Sequence, residues 1–109
     1  MTELLALCAA GDVADGDALR VETPKGNFAV FHVDGAFYVT QNLCTHGPGS
    51  LGDGYLEGHE IECDFHQGKF DVRTGLATAA PCSEPLTVYE AVVRDGTVHI
   101  DPDAGRCGA

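Results

Sequence analysis

Apolar and polar residues alternate along the first part of the chain. Over residues 17–23, Leu19 and Val21 fall on one face, whereas Arg20 and Glu22 fall on the other. This two-residue period is typical of a β-strand that has one face buried and the other in water. The run therefore predicts a half-buried strand.

Two further strands are predicted directly after it. Apolar residues recur over 27–33 and again over 36–41, and the dipeptide Asp34-Gly35 separates the two runs. Asp-Gly is favoured in a two-residue hairpin turn, because both positions of that turn need a positive φ. Residues 17–41 are therefore predicted to form a three-stranded antiparallel meander.

A second hairpin is predicted near the end of the chain, where residues 86–94 and 97–101 flank Asp95-Gly96. The residues after this hairpin are polar, contain glycine and show no alternation, so they are expected to be loosely held. The other elements expected from the pattern are a first strand at 4–9, short strands at 59–63 and 68–72, and the loose tail at 101–109.

Glycine and proline leave little room for helices. The chain has 14 glycines in 109 residues, and its longest stretch without glycine or proline is 36–46. Because helices usually need about ten or more such residues, the fold class is predicted to be all-β, with an antiparallel β sandwich or barrel as its base. The size predicts a single domain over residues 1–109, with a small subdomain inserted at about 42–85.

The charge of the chain restricts its partners. Seventeen acidic and six basic residues give a formal net charge of −11, and nucleic-acid binding is not expected because it needs a basic surface. A strongly acidic surface keeps copies of a protein apart, and it also steers the protein toward a basic patch on a partner. Both interpretations, solubility and steering, stay open.

Two short motifs combine a cysteine with a histidine. They are Cys44-x-His46 and Cys63-x-x-His66, with 16 residues between them. A Cys₂His₂ zinc finger groups its cysteines in one arm and its histidines in the other, whereas here each arm carries one of each. That distribution suits two irons, one held by both cysteines and one by both histidines, as in a Rieske [2Fe–2S] centre.

The surroundings of the two motifs fit this interpretation. Gly47 follows the first histidine and Gly68 lies two residues after the second, and glycines let backbone N–H groups approach the sulfides of a cluster closely. The other three histidines have no cysteine nearby and are predicted to be non-ligands: His32, His59 and His99.

The number of cysteines indicates the cellular compartment of the protein. The total of five is odd, and no export signal or apolar stretch of about 18 residues is present. A reducing cytoplasm is therefore favoured, and no membrane association is expected. Cys8, Cys82 and Cys107 are expected to be small apolar or incidental residues, with Cys82 the closest of them to the ligand loops.

The motifs, read with their neighbours, resemble a known family. Residues 42–47 read Asn-Leu-Cys-Thr-His-Gly, residues 53–58 read Asp-Gly-Tyr-Leu-Glu-Gly, and residues 61–71 read Ile-Glu-Cys-Asp-Phe-His-Gln-Gly-Lys-Phe-Asp. They are similar to the Rieske-type ferredoxins of bacterial aromatic-ring-hydroxylating dioxygenases, of the naphthalene and biphenyl dioxygenase type. The similarity extends over essentially the whole chain.

The resemblance implies a Rieske fold with one [2Fe–2S] cluster per chain. Such ferredoxins take one electron from a flavin-containing, NADH-dependent reductase and pass it to a terminal oxygenase, and they perform no substrate chemistry themselves. The resemblance also implies that Cys44 and Cys63 bind the inner iron, and that His46 and His66 bind the outer iron near the surface. A cytoplasmic monomer that binds neither nucleic acid nor membrane is the expected form.

The resemblance extends to the expected redox potential. Gly68 and Phe70 stand where respiratory Rieske proteins place a serine and a tyrosine hydroxyl on the cluster. Fewer hydrogen-bond donors imply a potential at the low end of the Rieske range of about −150 to +300 mV. Two alternative functions stay open: a small Rieske subunit of another multicomponent reductase, and a structural zinc-binding module.

Overall fold

The protein is described by a computed structural model over residues 4–43, 50–63, 68–79 and 86–107. Within these ranges its regular secondary structure is β-strand apart from two short 3₁₀ turns at Ala10–Asp12 and Leu51–Asp53, so the all-β prediction is confirmed. In chain order the strands are β1 (Leu5–Ala9), β2 (Ala18–Thr23), β3 (Gly26–Val33), β4 (Ala36–Gln41), β5 (Tyr55–Glu57), β6 (Glu60–Glu62), β7 (Lys69–Asp71), β8 (Ala77–Ala79), β9 (Thr87–Tyr89), β10 (Val92–Arg94), β11 (Thr97–Ile100) and β12 (Arg106–Cys107).

The predicted meander forms the centre of a five-stranded sheet in the order β12-β9-β4-β3-β2. The hairpin between β3 and β4 closes with Val33 opposite Ala36. Asp34 and Gly35 have φ values of 50° and 81°, as a two-residue turn of this type requires. In the described part of the chain, no helix is long and apolar enough to cross a membrane.

A three-stranded sheet in the order β1-β11-β10 contains the second predicted hairpin. Asp95 and Gly96 again have positive φ values, 51° and 75°. The prediction of one strand over 86–94 was wrong in one respect, because the chain leaves the five-stranded sheet after β9 and enters this sheet at β10. The break at Glu90 and Ala91 lets one segment serve two sheets.

The expectation of a loose tail over 101–109 was also wrong in part. Arg106 pairs with Val88, and Cys107 pairs with Thr87, so β12 forms an edge of the five-stranded sheet. Backbone hydrogen bonds make this pairing. A strand of two residues is too short to show an alternation of apolar and polar residues, so the sequence pattern does not reveal it.

A four-stranded sheet in the order β5-β6-β7-β8 carries the middle of the chain. The predicted strands at 59–63 and 68–72 correspond to β6 and β7, whereas β5 and β8 were not predicted. Ile61 lies opposite Phe70, and both are fully buried on the inner face of this sheet. Its outer face carries charged residues, among them Glu60 opposite Asp71.

Strand β3 contributes side chains to two separate cores, one on each face of the five-stranded sheet. Phe28 and Val30 pack into one core, and Ala29 and Phe31 pack into the other. The base core consists of Val13, Phe28, Val30, Val39, Val98 and Ile100. The loop core consists of Ala29, Phe31, Leu51, Ile61, Cys63, Phe70, Val72 and Leu86.

Candidate metal centre

One of the four predicted ligands lies in the described part of the chain. Cys63 follows β6, is 1 % exposed and belongs to the loop core. Cys44, His46 and His66 lie outside the described residues, as does Cys82. Within the described ranges, no three His, Cys, Asp or Glu side chains come together as a metal site.

The residues on either side of the first ligand arm, residues 44–49, lie next to each other. Leu43 and Ser50 pair as an isolated antiparallel bridge across its neck. The Leu51 N–H donates to the Asn42 carbonyl oxygen at 2.8 Å. The neck is therefore held by backbone hydrogen bonds directly before and after the arm.

The second ligand arm has a neck of the same kind. The Cys63 N–H donates to the Gly68 carbonyl oxygen at 2.7 Å, and the arm between them connects the paired strands β6 and β7. Cys63 thus stands at a fixed point of the backbone, with its side chain directed into the loop core.

A third segment, residues 80–85, connects β8 to Leu86. The Leu86 N–H donates to the Gly75 carbonyl oxygen at 2.7 Å. Cys63 and Leu86 border the second and third segments, Leu51 lies one residue beyond the end of the first, and all three belong to the loop core. The fold therefore brings the necks of both ligand arms to the same buried cluster, although the arms are separated in the sequence.

The chemistry of these residues fits a [2Fe–2S] group. A thiol at the edge of an apolar core can hold iron away from water, and the paired arms together offer two thiolates and two imidazoles. Thiolates hold one iron of a Rieske cluster and imidazoles hold the other. The apolar surroundings of Cys63 also limit the access of solvent to a group bound there.

Cys8, His32 and His59, which lie outside the two motifs, have other surroundings. Cys8 packs against the base core, and burial raises the pKa of its thiol. The ring nitrogen Nδ1 of His32 lies 2.8 Å from the Val13 carbonyl oxygen. The ring of His59 contacts Tyr38 edge-to-face, with centroids 5.8 Å apart.

The outer face of the four-stranded sheet is acidic beside the second neck. Glu57, Glu60 and Glu62 line a shallow depression on this face together with Tyr55, which is 74 % exposed, and Lys69. Glu62 directly precedes Cys63 in the chain. The described surface next to the predicted centre is therefore negative, in agreement with the charge of the whole chain.

Two residues that stabilise the first neck were not singled out by the sequence prediction. Gln41 is the last residue of β4, and Asn42 lies between it and Leu43. Their side chains hydrogen-bond to both sides of the neck. The available signal was a pair of amide side chains between an apolar strand and a ligand motif, but the pattern alone does not say what such amides bind.

The family of the chain follows from its sequence. A family model described as the Rieske [2Fe-2S] domain matches residues 3–90. The chain belongs to the Rieske family. Within that family, this Rieske chain is 45 % identical over 106 residues to the ferredoxin component of the p-cumate 2,3-dioxygenase system of Pseudomonas putida, which covers 95 % of this chain and 90 % of that protein.

Solved structures agree with the sequence matches. The Sphingomonas yanoikuyae B1 ferredoxin is 47 % identical, with a TM-score of 0.87 over 91 % of this chain and 98 % of that one. A chain in the complex of reduced oxygenase and oxidized ferredoxin in carbazole 1,9a-dioxygenase is 41 % identical, with a TM-score of 0.86 over 94 % of this chain and 95 % of that one. The Rieske fold is thus confirmed. The p-cumate relative is the ferredoxin component of a dioxygenase system and not its catalytic oxygenase.

Proposed function

We propose that this Rieske chain is the ferredoxin of an aromatic-ring-hydroxylating dioxygenase system. In this role it carries single electrons from a flavin-containing, NADH-dependent reductase to a terminal oxygenase. The main support is the 45 % identity to the ferredoxin component of the p-cumate 2,3-dioxygenase system, which extends over 95 % of this chain. The likeness to a chain of the carbazole oxygenase–ferredoxin complex supports an oxygenase as one partner.

The proposed cluster ligands are Cys44 and Cys63 for one iron, and His46 and His66 for the other. When bound, a [2Fe–2S] cluster accepts and releases one electron without a change of ligands. Cys63 supports this assignment, because its side chain is buried in the loop core. The necks support it too, because Leu51 after the first arm and Cys63 at the start of the second belong to the same buried core.

The rest of the proposal follows from this role. We propose a single domain over residues 1–109, in which residues of about 42–85 form a cluster-binding subdomain on the β base. The chain acts as a cytoplasmic monomer with one cluster, since an electron carrier must leave one partner to reach the next. The loop core limits the access of water to the Cys63 side of the site.

Two observations favour this proposal over the alternatives. A structural zinc module needs no partner oxygenase, whereas the structural likeness includes a ferredoxin from an oxygenase complex at 41 % identity. A small subunit of another reductase is disfavoured by the p-cumate relative, whose identity of 45 % covers 90 % of that ferredoxin.

The first experiment measures the metal. Protein produced with ample iron and sulfide is expected to hold about two irons and two acid-labile sulfides per chain, with visible absorption, and to take up one electron in a dithionite titration. Cys44→Ser and Cys63→Ser are expected to lose the cluster, whereas Cys8→Ser, a cysteine at the base core, keeps it. Zinc alone in the unmodified protein would contradict the proposal.

The second experiment measures electron delivery. In the p-cumate 2,3-dioxygenase system of Pseudomonas putida, this chain replaces the native ferredoxin component, and oxygen uptake with NADH is followed. We expect uptake to depend on added chain and to disappear with Cys63→Ser. A cluster-containing chain that supports no uptake would restrict the proposal to a different oxygenase system.

A further inference from the structure

We propose that Gln41 and Asn42 form an amide clamp that positions the first ligand arm, residues 44–49, and thereby sets the lifetime and the reduction potential of the cluster. The inference rests on the proposed function, because it concerns the cluster that the arm would hold. Neither residue is a predicted ligand. Both act through the neck formed by Leu43 and Ser50.

Asn42 holds the far side of the neck through its side chain. Its Oδ1 accepts the Gly52 N–H at 2.8 Å, in a buried hydrogen bond, and its Nδ2 donates to the Ser50 hydroxyl at 3.0 Å. Only 6 % of Asn42 is exposed. A buried amide with such bonds is costly to replace, because the Gly52 N–H would lose its acceptor away from water.

The orientation of the Asn42 amide is fixed by a chain of hydrogen bonds. The Ser50 hydroxyl lies 2.7 Å from Asp53 Oδ2 and 3.3 Å from Asn42 Oδ1. Because it has one proton and the contact to Asp53 is the shorter, it donates to Asp53 and accepts from Asn42 Nδ2. Asp53 Oδ2 lies 3.4 Å from Arg20 Nη1 on β2. These contacts form a chain from the Asn42 amide through the Ser50 hydroxyl and the Asp53 carboxylate to the guanidinium on β2. They connect the neck to the edge of the five-stranded sheet.

Gln41 holds the near side of the neck. Its Nε2 donates to the Leu43 carbonyl oxygen at 2.7 Å, and its Oε1 accepts the Thr87 N–H at 2.8 Å. Leu43 directly precedes Cys44, and Thr87 begins β9. One amide therefore fixes the peptide unit before a predicted ligand and joins it to the strand that follows segment 80–85.

The two amides have different consequences for the cluster. Asn42 ties together both ends of the arm, so its loss frees the neck to open and lets iron escape faster. Gln41 directs the positive end of its amide dipole at the peptide before Cys44, and a positive dipole near a cluster stabilises the reduced, more negative state. Loss of Gln41 therefore lowers the potential.

The experiment compares Gln41→Ala and Asn42→Ala with Asn27→Ala, an exposed asparagine on β3. We expect Asn42→Ala to lose visible cluster absorption at least tenfold faster in the presence of an iron chelator. We expect Gln41→Ala to reduce at least threefold the equilibrium constant for reduction by a fixed mediator, which is about 30 mV at 59 mV per tenfold for one electron. The asparagine control should change neither quantity.

Conservative variants keep the test decisive if the alanine variants fold poorly. Asn42→Asp retains the acceptor for Gly52, so slow amide hydrogen exchange at Gly52 should be largely retained, whereas Asn42→Ala should speed it at least tenfold. Gln41→Met is neutral and similar in length to glutamine but lacks both the donor to Leu43 and the acceptor for Thr87, and should still lower the potential.

The outcomes separate the clamp from the proposed function. If the unmodified protein holds no iron and sulfide, the proposed function fails, while Gly52 exchange still measures the clamp. If the unmodified protein holds the cluster, but its lifetime and potential in the Gln41 and Asn42 variants equal those of Asn27→Ala, the clamp is refuted.

Discussion

Gly54 packs directly against the carbonyl oxygen of Glu62, the residue before Cys63. A Cβ built on Gly54 would overlap that oxygen, and it would also approach the Leu51 carbonyl oxygen at 3.4 Å. The φ of Gly54 is −84°, so glycine is needed here for its size and not for its backbone conformation. The residues after the first arm thus rest on the strand that leads to the second.

We therefore predict that Gly54→Ala destabilises the protein by about 3 kcal/mol, at the upper end for overpacking a well-packed site. The displaced backbone is that of Glu62, so cluster content should also fall. Denaturant unfolding and iron analysis measure the two effects. Gly11→Ala is the control, because a Cβ there has no heavy atom within 4 Å. Equal stability of the two variants would contradict the close approach.

The second prediction concerns Phe70, which is fully buried in the loop core with Cys63. Phe70→Tyr adds a hydroxyl that can donate to a cluster thiolate, and charge-assisted bonds of this kind are strong. We expect a higher potential, by about 40 mV for each ~1 kcal/mol by which the bond favours the reduced state. Voltammetry measures it, with Phe37→Tyr at the base core as control.

An unchanged potential in Phe70→Tyr would contradict this prediction. Stability shows where the hydroxyl has gone, because a buried hydroxyl without a partner costs about 1–3 kcal/mol. A potential that stays constant while unfolding becomes easier would show that position 70 does not face the cluster.

The third prediction concerns the acidic outer face beside Cys63. If the charge of −11 steers docking, reduction by a reductase with a basic docking site should slow as salt rises, mainly through the association rate. Glu60→Gln and Glu62→Gln should each lower that rate about twofold at low salt. Glu22→Gln on β2 serves as control. Rates independent of salt would leave solubility as the role of the acidic surface.

The fourth prediction concerns the pH dependence of stability at Asp71. A side-chain hydrogen bond from Arg73, at 2.9 Å from Nη2 to Oδ2, lowers the pKa of the Asp71 carboxyl. Because the pKa is lower in the folded state, the contribution to stability is complete above the unfolded pKa of about 3.9 and is lost as pH falls through the folded value.

Asp71→Asn should therefore destabilise the protein at pH 7 by about 1 kcal/mol, since Arg73 is half-exposed and solvent screens the pair. The difference from the unmodified protein should shrink below about pH 4. Urea unfolding between pH 3 and 7 measures it, with the exposed Asp103→Asn as control. A difference that is constant with pH would exclude the ionised carboxyl as its source.

Local sequence chemistry determined the parts of the fold that were predicted. Asp34-Gly35 and Asp95-Gly96 encode their turns directly, because each turn needs two positive φ values and an Asp-Gly pair tolerates them. The strand after Leu86 was predicted as continuous because nothing local marks Glu90 as the point where the chain changes sheets. Which sheet the chain joins after Glu90 depends on strands that are distant in the sequence but adjacent in the fold.

Only part of the candidate site could be predicted from the sequence. The spacing of Cys63 and His66 indicated a ligand arm without any structure, because ligands on one loop must be close in sequence. The clamp residue Asn42 could not be assigned in this way. Its partners Ser50 and Gly52 lie 8 and 10 residues away, and only the folded neck brings them to its amide.

The two buried faces of β3 bear on how the protein unfolds. Phe28 and Val30 pack into one core, and Ala29 and Phe31 pack into the other. Neither core can therefore unfold without exposing one face of β3 to water. Local fluctuations that release an arm need not disturb β3. The amide protons of this strand should therefore exchange only through global opening, and a chain stripped of iron should retain them as its last protected segment.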